Sequence, residues 1–193
     1  RSGHVPRNSS WRVHALRSNA EARACDSADS ADTCALQGGT QSQVAGVLHA
    51  AGVGATIDVR LGGKTGPEFG GPIELTARVR VLTDGRFNFE GPMLRGQAVD
   101  MGPTAVLEAP GLEVVVTGSR FQCYDPRFFK HAGIDPTTRD VVVVKSSQHF
   151  RAAFQPMSRA VLVVDSRGGL TTGDLSRLDY KFIPRPAFPL DTG

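Results

Sequence analysis

The sequence has little of what marks a secreted, membrane-spanning or nucleic-acid-binding protein. Its three cysteines among 193 residues are too few and too far apart for a disulfide framework, so we expect a reducing, cytoplasmic setting. No apolar run approaches the roughly 20 residues that span a bilayer, and the stretch from Arg1 to Arg7 contains no apolar core of a signal peptide. The net charge of +3 is too small to indicate a nucleic-acid-binding surface. We therefore expect neither a membrane nor a nucleic acid as a partner.

Motifs that would identify an enzyme by themselves are also missing. The five histidines are scattered, and the sequence has neither an H-E-x-x-H pattern nor paired cysteines, so no metal ligands are predicted in this chain. Gly63-Lys64-Thr65 looks like the end of a phosphate-binding loop, but Asp58 occupies the position where that loop needs its first glycine. No G-x-S-x-G sequence marks a nucleophilic serine. His131 lies near the end of a predicted helix, where the helix dipole favours an imidazolium.

The first 43 residues differ in composition from the rest of the chain. They contain few sizeable apolar side chains, namely Val5, Trp11, Val13, Leu16 and Leu36. Such a segment cannot offset the entropy that it loses on ordering. We therefore predict that residues 1–43 are weakly structured or divergent, and that residues 44–193 form the folded domain. The chain also begins at Arg1 rather than Met, so we expect it to be a piece of a longer protein.

The remaining residues predict an α/β domain. Residues 44–51 place apolar side chains on one helical face. Between residues 56 and 107, short stretches alternate apolar and polar residues, as half-buried antiparallel strands do. Continuous apolar runs then alternate with short helix-like segments, a pattern typical of a parallel sheet covered on both faces; the runs are Leu112–Thr117, Val141–Val144 and Ala160–Val164. We therefore predict a mixed sheet in which an antiparallel strand meander precedes a short parallel β-α-β-α-β core.

Polar residues follow each of the three apolar runs. Ligands of parallel sheets tend to bind beyond the carboxyl ends of the strands, so the residues after the first two runs are the candidate substrate-binding set. The set comprises Arg120, Gln122, Lys145, Ser146, Ser147 and His149. A serine that caps the helix after the second run, together with the lysine, would offer a site for a carboxylate or another anion. The alternative is that these residues only form strand-to-helix turns, which need serine, aspartate and glycine anyway.

The stretch from His49 to Asp191 resembles the C-terminal domain of the MlrC family, which are microcystin-degradation proteins classed as zinc metallopeptidases. The most specific part is the Lys-Ser-x-x-His-Phe-Arg pattern that begins at Lys145. A second telling part is the segment 111–117, which is followed by Asp125-Pro126. All segments that carry the resemblance are, in chain order, 50–55, 61–64, 111–117, 120–126, 133–136, 141–154 and 185–191.

The resemblance implies where the catalytic metal of the intact protein lies. The resemblance implies that the intact family protein binds zinc through His, Asp and Glu ligands in a larger N-terminal domain. This chain alone is expected to bind no zinc. That N-terminal catalytic domain is the implied partner, and a small peptide or amide is the implied substrate. Family members normally have an Asp-Asn-Pro-Gly-Gly-Gly-type stretch where this chain has residues 1–43, and nothing there matches it.

The resemblance and the strand-end positions together predict that this chain supplies one wall of the substrate cleft. Lys145 and Arg120 would hold a substrate carboxylate. His149 would hydrogen-bond the scissile region or transfer a proton, although no residue is firmly assigned to catalysis. The isolated chain is expected to be inactive. The alternative function is a non-catalytic interaction or structural module that docks on a partner domain, and an independent small-molecule-binding domain is a third.

Overall fold

The computed structural model describes residues 12–15, 32–36, 41–62, 72–146, 148–163, 180–188 and 190–191. Those residues contain ten strands and three helices, in chain order β1 (Arg12–Ala15), β2 (Asp32–Leu36), α1 (Gln41–Ala51), β3 (Thr56–Leu61), β4 (Ile73–Thr83), β5 (Arg86–Asn88), β6 (Ala98–Asp100), β7 (Thr104–Ala109), β8 (Leu112–Thr117), α2 (Arg127–Lys130), β9 (Val141–Val144), α3 (Arg151–Phe154) and β10 (Ala160–Val163). Two short 3-10 turns lie at Pro136–Thr138 and Gln155–Met157.

Eight strands form one mixed sheet, in the order β10-β1-β9-β2-β8-β7-β4-β3. The strands from β10 to β8 are parallel to their neighbours, whereas those from β8 to β3 pair antiparallel. The predicted antiparallel meander is therefore confirmed. In β4 the alternation of the sequence buries Ala77 and Val79 and exposes Thr76 and Arg78. β5 and β6 pair with each other in a separate small sheet.

The structure does not show the predicted parallel β-α-β-α-β core. The three apolar runs form β8, β9 and β10, at or within one residue of the predicted bounds. None of these strands is hydrogen-bonded to another, because β2 lies between β8 and β9, and β1 lies between β9 and β10. On its other side β8 pairs antiparallel with β7. Every parallel pair in the described sheet therefore involves β1 or β2.

The prediction of a poorly ordered N-terminal segment is wrong for β1 and β2. Both lie inside the sheet, with a neighbouring strand on each side. Their sequences, RVHA and DTCAL, carry little apolar pattern. A strand between two others is stabilised by backbone hydrogen bonds on both of its edges, which composition does not reveal. The other residues of this segment, up to the start of α1 at Gln41, lie outside the described residues.

The sheet buries apolar side chains on both of its faces. In β8, Val115 packs on one face, and Val114 and Val116 pack on the other, as the alternation of a strand requires. The first face is covered by aromatic side chains from the small sheet, α2 and α3, namely Phe87, Phe89, Phe128, Phe129, Phe150 and Phe154. The second face packs against α1 through Val44, Ala45 and Leu48. This two-sided burial explains why β8 and β9 are continuously apolar.

The helices that cover the aromatic face are single turns. α2 and α3 have four residues each, so the helix-like segments that the sequence predicted between the apolar runs are only one turn long. One turn of α2 is enough to cover this face of the sheet, because that turn buries two adjacent aromatic side chains, Phe128 and Phe129. Gly133 has a φ of +76°, so this glycine ends the α2 segment in the left-handed conformation. None of the described helices is long and apolar enough to cross a membrane.

Candidate functional site

The carboxyl ends of β8 and β9 lie at the same edge of the sheet, because β2 pairs in parallel with both strands. β8 ends at Thr117 and β9 ends at Val144. The two loops that follow these ends carry the predicted site residues. The loop predicted after the third apolar run, residues 165–169, lies outside the described residues. We call this side of the sheet the carboxyl edge.

The carboxyl edge joins three of the predicted residues in one hydrogen-bonded group. The side-chain amide of Gln122 donates through Nε2 to Ser146 Oγ, at 2.8 Å. The other end of the same amide, Oε1, lies 2.9 Å from His149 Nδ1. Because an amide oxygen only accepts hydrogen bonds, His149 Nδ1 is the donor in this pair. We call Gln122, Ser146 and His149 the Gln122 cluster.

His149 is the member of the Gln122 cluster that can reach a ligand. Its side chain is exposed. With the proton of the neutral ring held on Nδ1 by Gln122, the second ring nitrogen, Nε2, carries the lone pair. Nε2 can then accept a hydrogen bond from a ligand, or donate one after it takes up a proton. The arrangement therefore selects one tautomer and leaves the basic nitrogen at the surface.

Ser146 has a supporting position in the cluster. It is 5% exposed, and its Oγ accepts hydrogen bonds from Gln122 and from the backbone N–H of Phe150, the latter at 3.3 Å. Since α3 begins only at Arg151, the serine caps the turn before the helix and not the helix itself. Ser146 thus fixes the amide of Gln122 and the turn that carries His149.

The other predicted residues are not joined to this group by the contacts of the described residues. Arg120 is exposed and makes no hydrogen bond or ion pair with the described part of the chain. Lys145, directly before Ser146, is half-buried and has an interaction partner. Ser147 lies outside the described residues. The described contacts therefore join three of the six predicted residues, and the substrate-binding role of all six stays a prediction.

Asp125 organises the carboxyl edge, although the sequence-based prediction gave it no role. The residue is fully buried. Its Oδ2 accepts the backbone N–H groups of Gly91 at 2.7 Å and Glu90 at 3.1 Å, and its Oδ1 accepts that of Arg127 at 2.8 Å. The carboxylate thus ties the loop after β5 to the loop that carries Gln122. An aspartate directly before a proline at a helix start is a capping pattern, so a sequence signal existed.

A cavity of about 650 Å³ opens at the same end of β8. Strand pairing places it there, because Thr117 pairs with Thr104, Thr104 pairs with Thr83, and Thr83 lines the cavity. His49 also lines the cavity, and its Nε2 is 3.1 Å from the carbonyl oxygen of Thr104. The sequence gave no sign of this position for His49, since the contact joins residues 55 apart. The remaining lining residues are Leu82, Asp84, Arg86, Asp100, Gly102 and Pro103.

The described residues do not fit a zinc ion. Among them, no group of three or more His, Cys, Asp or Glu side chains could hold a metal. Zinc sites in proteins use three or four ligands of these types. The Gln122 cluster offers one imidazole, with an amide and a hydroxyl, and the carboxylate of Asp125 already accepts three backbone N–H groups. No chemical step through a metal can be derived from this part of the chain.

Comparisons with known proteins agree with the resemblance carried by the sequence motifs. The sequence model described as the MlrC C-terminus matches residues 8–181. Microcystinase C from Sphingomonas sp. is 33% identical over 116 residues, which are 60% of this chain and 22% of that protein. A crystal structure of a candidate metallopeptidase from Mesorhizobium sp. BNC1 is 26% identical, with a TM-score of 0.75, and the match covers 97% of this chain and 39% of that one. The chain thus spans well under half the length of these relatives, and it belongs to the MlrC C-terminus family.

Proposed function

We propose that this chain is the C-terminal domain of an MlrC-like zinc-dependent peptidase or amidohydrolase, and that it supplies one wall of the substrate cleft. The observation that carries the proposal is the Gln122 cluster, which presents His149 Nε2 at the carboxyl edge of the sheet. The family match supports it, because one relative is a microcystinase and another is a candidate metallopeptidase. The catalytic zinc would belong to the N-terminal domain of the longer protein.

The proposed role of this chain is to bind and orient the substrate. Zinc, where the longer protein holds it, would activate water and polarise the scissile carbonyl. Exposed His149 would hydrogen-bond the substrate near the bond that is cleaved, and Gln122 would keep the imidazole in the required tautomer. The cationic side chains of Lys145 and Arg120 would attract a carboxylate of a small peptide or amide substrate. Holding a substrate in a reactive orientation is by itself a large contribution to catalysis.

The test uses the full-length protein of this family that contains the chain, loaded with zinc and assayed on short peptides. His149→Ala is expected to raise KM at least tenfold with a smaller effect on kcat, because the residue binds substrate and does not hold the metal. Arg60→Gln is the control, since Arg60 lies on the edge strand β3 and pairs with exposed Glu74. Unchanged KM and kcat in His149→Ala would contradict the cleft-wall role. Peptide hydrolysis by the 193-residue chain alone with zinc would contradict the placement of the metal.

A second candidate function, a non-catalytic module that docks on the N-terminal domain, is favoured by two exposed aromatic side chains. Phe182 and Phe188 are 94% and 93% exposed, which is unusual for phenylalanine. The double substitution Phe182→Ala with Phe188→Ala should weaken binding of the chain to that domain at least tenfold in analytical ultracentrifugation. Val53→Ala, at another exposed apolar residue, is the control. Equal binding by the double variant and the control would remove this candidate.

The cytoplasmic setting remains part of the proposal. Its support is the small number of cysteines, three among 193 residues, and the wide spacing between them. So few and so widely spaced cysteines are typical of a protein that folds in a reducing compartment.

A further inference from the structure

We propose that a cluster of charged side chains at the amino end of β8 binds a small oxyanion through two arginines. The residues are Arg80 on β4, Glu113 on β8, and Arg139 just before β9. Glu113 lies four residues before Thr117, so about 13 Å of strand separates this cluster from the carboxyl edge. The inference is independent of the Gln122 cluster and of the proposed function. We call it the arginine cluster.

The arginine cluster is a pair of guanidinium groups held by one carboxylate. Arg80 Nη1 lies 2.8 Å from Glu113 Oε1, and Arg139 Nη2 lies 2.5 Å from Glu113 Oε2. The three side chains are largely buried, at 28%, 12% and 21% exposure for Arg80, Glu113 and Arg139. Each carboxylate oxygen therefore orients one arginine.

The carboxylate does not satisfy all the donors of the two arginines. Nε and Nη2 of Arg80 and Nε of Arg139 are buried and have no hydrogen-bond partner among the described residues. A buried donor without an acceptor loses its hydration and gains nothing in exchange. Because these nitrogens are closed to solvent, a ligand in the adjoining cavity gains these hydrogen bonds when the two guanidinium groups turn toward it. Guanidinium N–H groups match the oxygen atoms of phosphate and carboxylate in geometry and charge.

A β-bulge explains how Arg80 reaches this position. The pairing of β4 with β7 shifts between Val79 and Val81, so Arg80 is the additional residue on β4. A bulge bends its strand and redirects a side chain. Arg80 thereby reaches past β7 to Glu113 on β8.

A cavity of about 290 Å³ adjoins the arginine cluster and is large enough for a small anion. It is lined by Arg80, Glu108, Ala109, Gly111, Leu112, Glu113 and Arg139. Glu108 is paired with Arg78 at 3.5 Å. The charged side chains that line the cavity are therefore two arginines and two glutamates, and what favours an anion there is the set of unsatisfied donors on Arg80 and Arg139.

The binding test is isothermal titration calorimetry of the 193-residue chain with inorganic phosphate and, separately, acetate, at constant ionic strength. We expect saturable one-to-one binding of at least one probe, and the stronger probe tells a tetrahedral from a planar oxyanion. Arg80→Gln and Arg139→Gln should each weaken binding at least tenfold. Arg78→Gln is the matched control, because it removes the same charge from the same region but pairs only with half-exposed Glu108; its affinity should stay within twofold.

Absence of binding of both probes to the wild-type chain would overturn the proposal. Equal losses in Arg78→Gln and Arg139→Gln would also overturn it, since they would indicate only general electrostatic attraction. If circular dichroism shows that the arginine variants do not fold, the Nε–H resonances of the wild-type chain decide the question. Addition of phosphate should then shift the signals of Arg80 and Arg139 and leave that of Arg78 unchanged, and any other pattern contradicts the site.

Discussion

Gln122 is the residue on which the candidate site depends, because its amide contacts both Ser146 and His149. In Gln122→Leu the acceptor for His149 Nδ1 is lost, so we expect the neutral ring to move from the Nδ1–H tautomer toward the Nε2–H tautomer. Long-range 1H–15N correlation spectra of the 193-residue chain measure this change directly. Gln97→Leu, at an exposed glutamine, is the control and should leave the tautomer as it is. An unchanged tautomer in Gln122→Leu would mean that the amide does not position the imidazole.

His131 shows how a single side chain departs from the expectation set by its sequence position. The helix-end position predicted a favoured imidazolium, but α2 is one turn long and the ring packs 4.7 Å from the ring of Phe87. Its Nδ1 hydrogen-bonds the carbonyl oxygen of Arg127, and its Nε2 is buried without a partner. Burial is the main cause that holds the pKa of His131 below its usual range. The folded protein therefore keeps this ring neutral.

The lowered pKa of His131 predicts a loss of stability in mild acid. The unfolded chain takes up a proton on this residue near its ordinary pKa of about 6.5, whereas the folded chain does so only at lower pH. The contribution of His131 to the free energy of unfolding is therefore complete above about pH 6.5, and it decreases as the pH falls below that value. His131→Gln should reduce the loss of unfolding free energy between about pH 7.5 and about pH 5, as measured by urea denaturation. An identical loss of unfolding free energy in the wild-type chain and in His131→Gln would show that folding does not lower the pKa of His131.

The turn between β4 and β5 depends on Gly85 in two separable ways. Gly85 has a φ of +74°, and a Cβ there would collide with the carbonyl oxygen of Gly102. Gly96 has a similar φ of +81° but open space around it. Gly96→Ala should therefore cost about 1 kcal/mol for the left-handed backbone alone. Gly85→Ala should cost at least about 3 kcal/mol, because the backbone must also move. Equal unfolding free energies of the two variants would show that the turn moves to admit the added Cβ at residue 85 without a further loss of stability.

Sequence patterns located the strands better than they located the contacts between them. Leu112–Thr117 and Val141–Val144 were predicted at the bounds that the structure shows, because a continuous apolar run between turn residues has a clear physical cause in two-sided burial. The helix-like segments were overestimated, since apolar spacing over a few residues does not separate one helical turn from two. The strand-end rule placed Gln122, Ser146 and His149 at one edge of the sheet, where their side chains form one hydrogen-bonded group, and their role in binding a substrate stays a prediction. It could not predict the bond partners of Asp125 or the bulge at Arg80, because both depend on neighbours distant in sequence.

At the scale of the whole molecule, β1 and β2 determine which residues fold together as one unit. The sequence placed a boundary near residue 43, but the parallel half of the sheet alternates strands from both sides of that boundary. β2 supplies hydrogen bonds to β8 and β9, and β1 supplies them to β9 and β10. Without β1 and β2, β9 and β10 would lose every strand with which they pair, and β8 would keep only β7. The unit that folds should therefore begin ahead of β1.

A shortened chain tests this directly. A chain that begins at residue 41 lacks β1 and β2 and leaves β8, β9 and β10 without their parallel neighbours. We expect it to show no cooperative unfolding transition, to bind a dye for exposed apolar surface, and to aggregate through its open strand edges. A chain that begins at residue 8, where the family match starts, keeps both strands and is the control. The opposite outcome is cooperative unfolding of the shorter chain, with a free energy of unfolding within about 1 kcal/mol of the control, which is the effect of an ordinary single substitution. In that case residues 44–193 form the domain by themselves, and β1 and β2 are not needed for its stability.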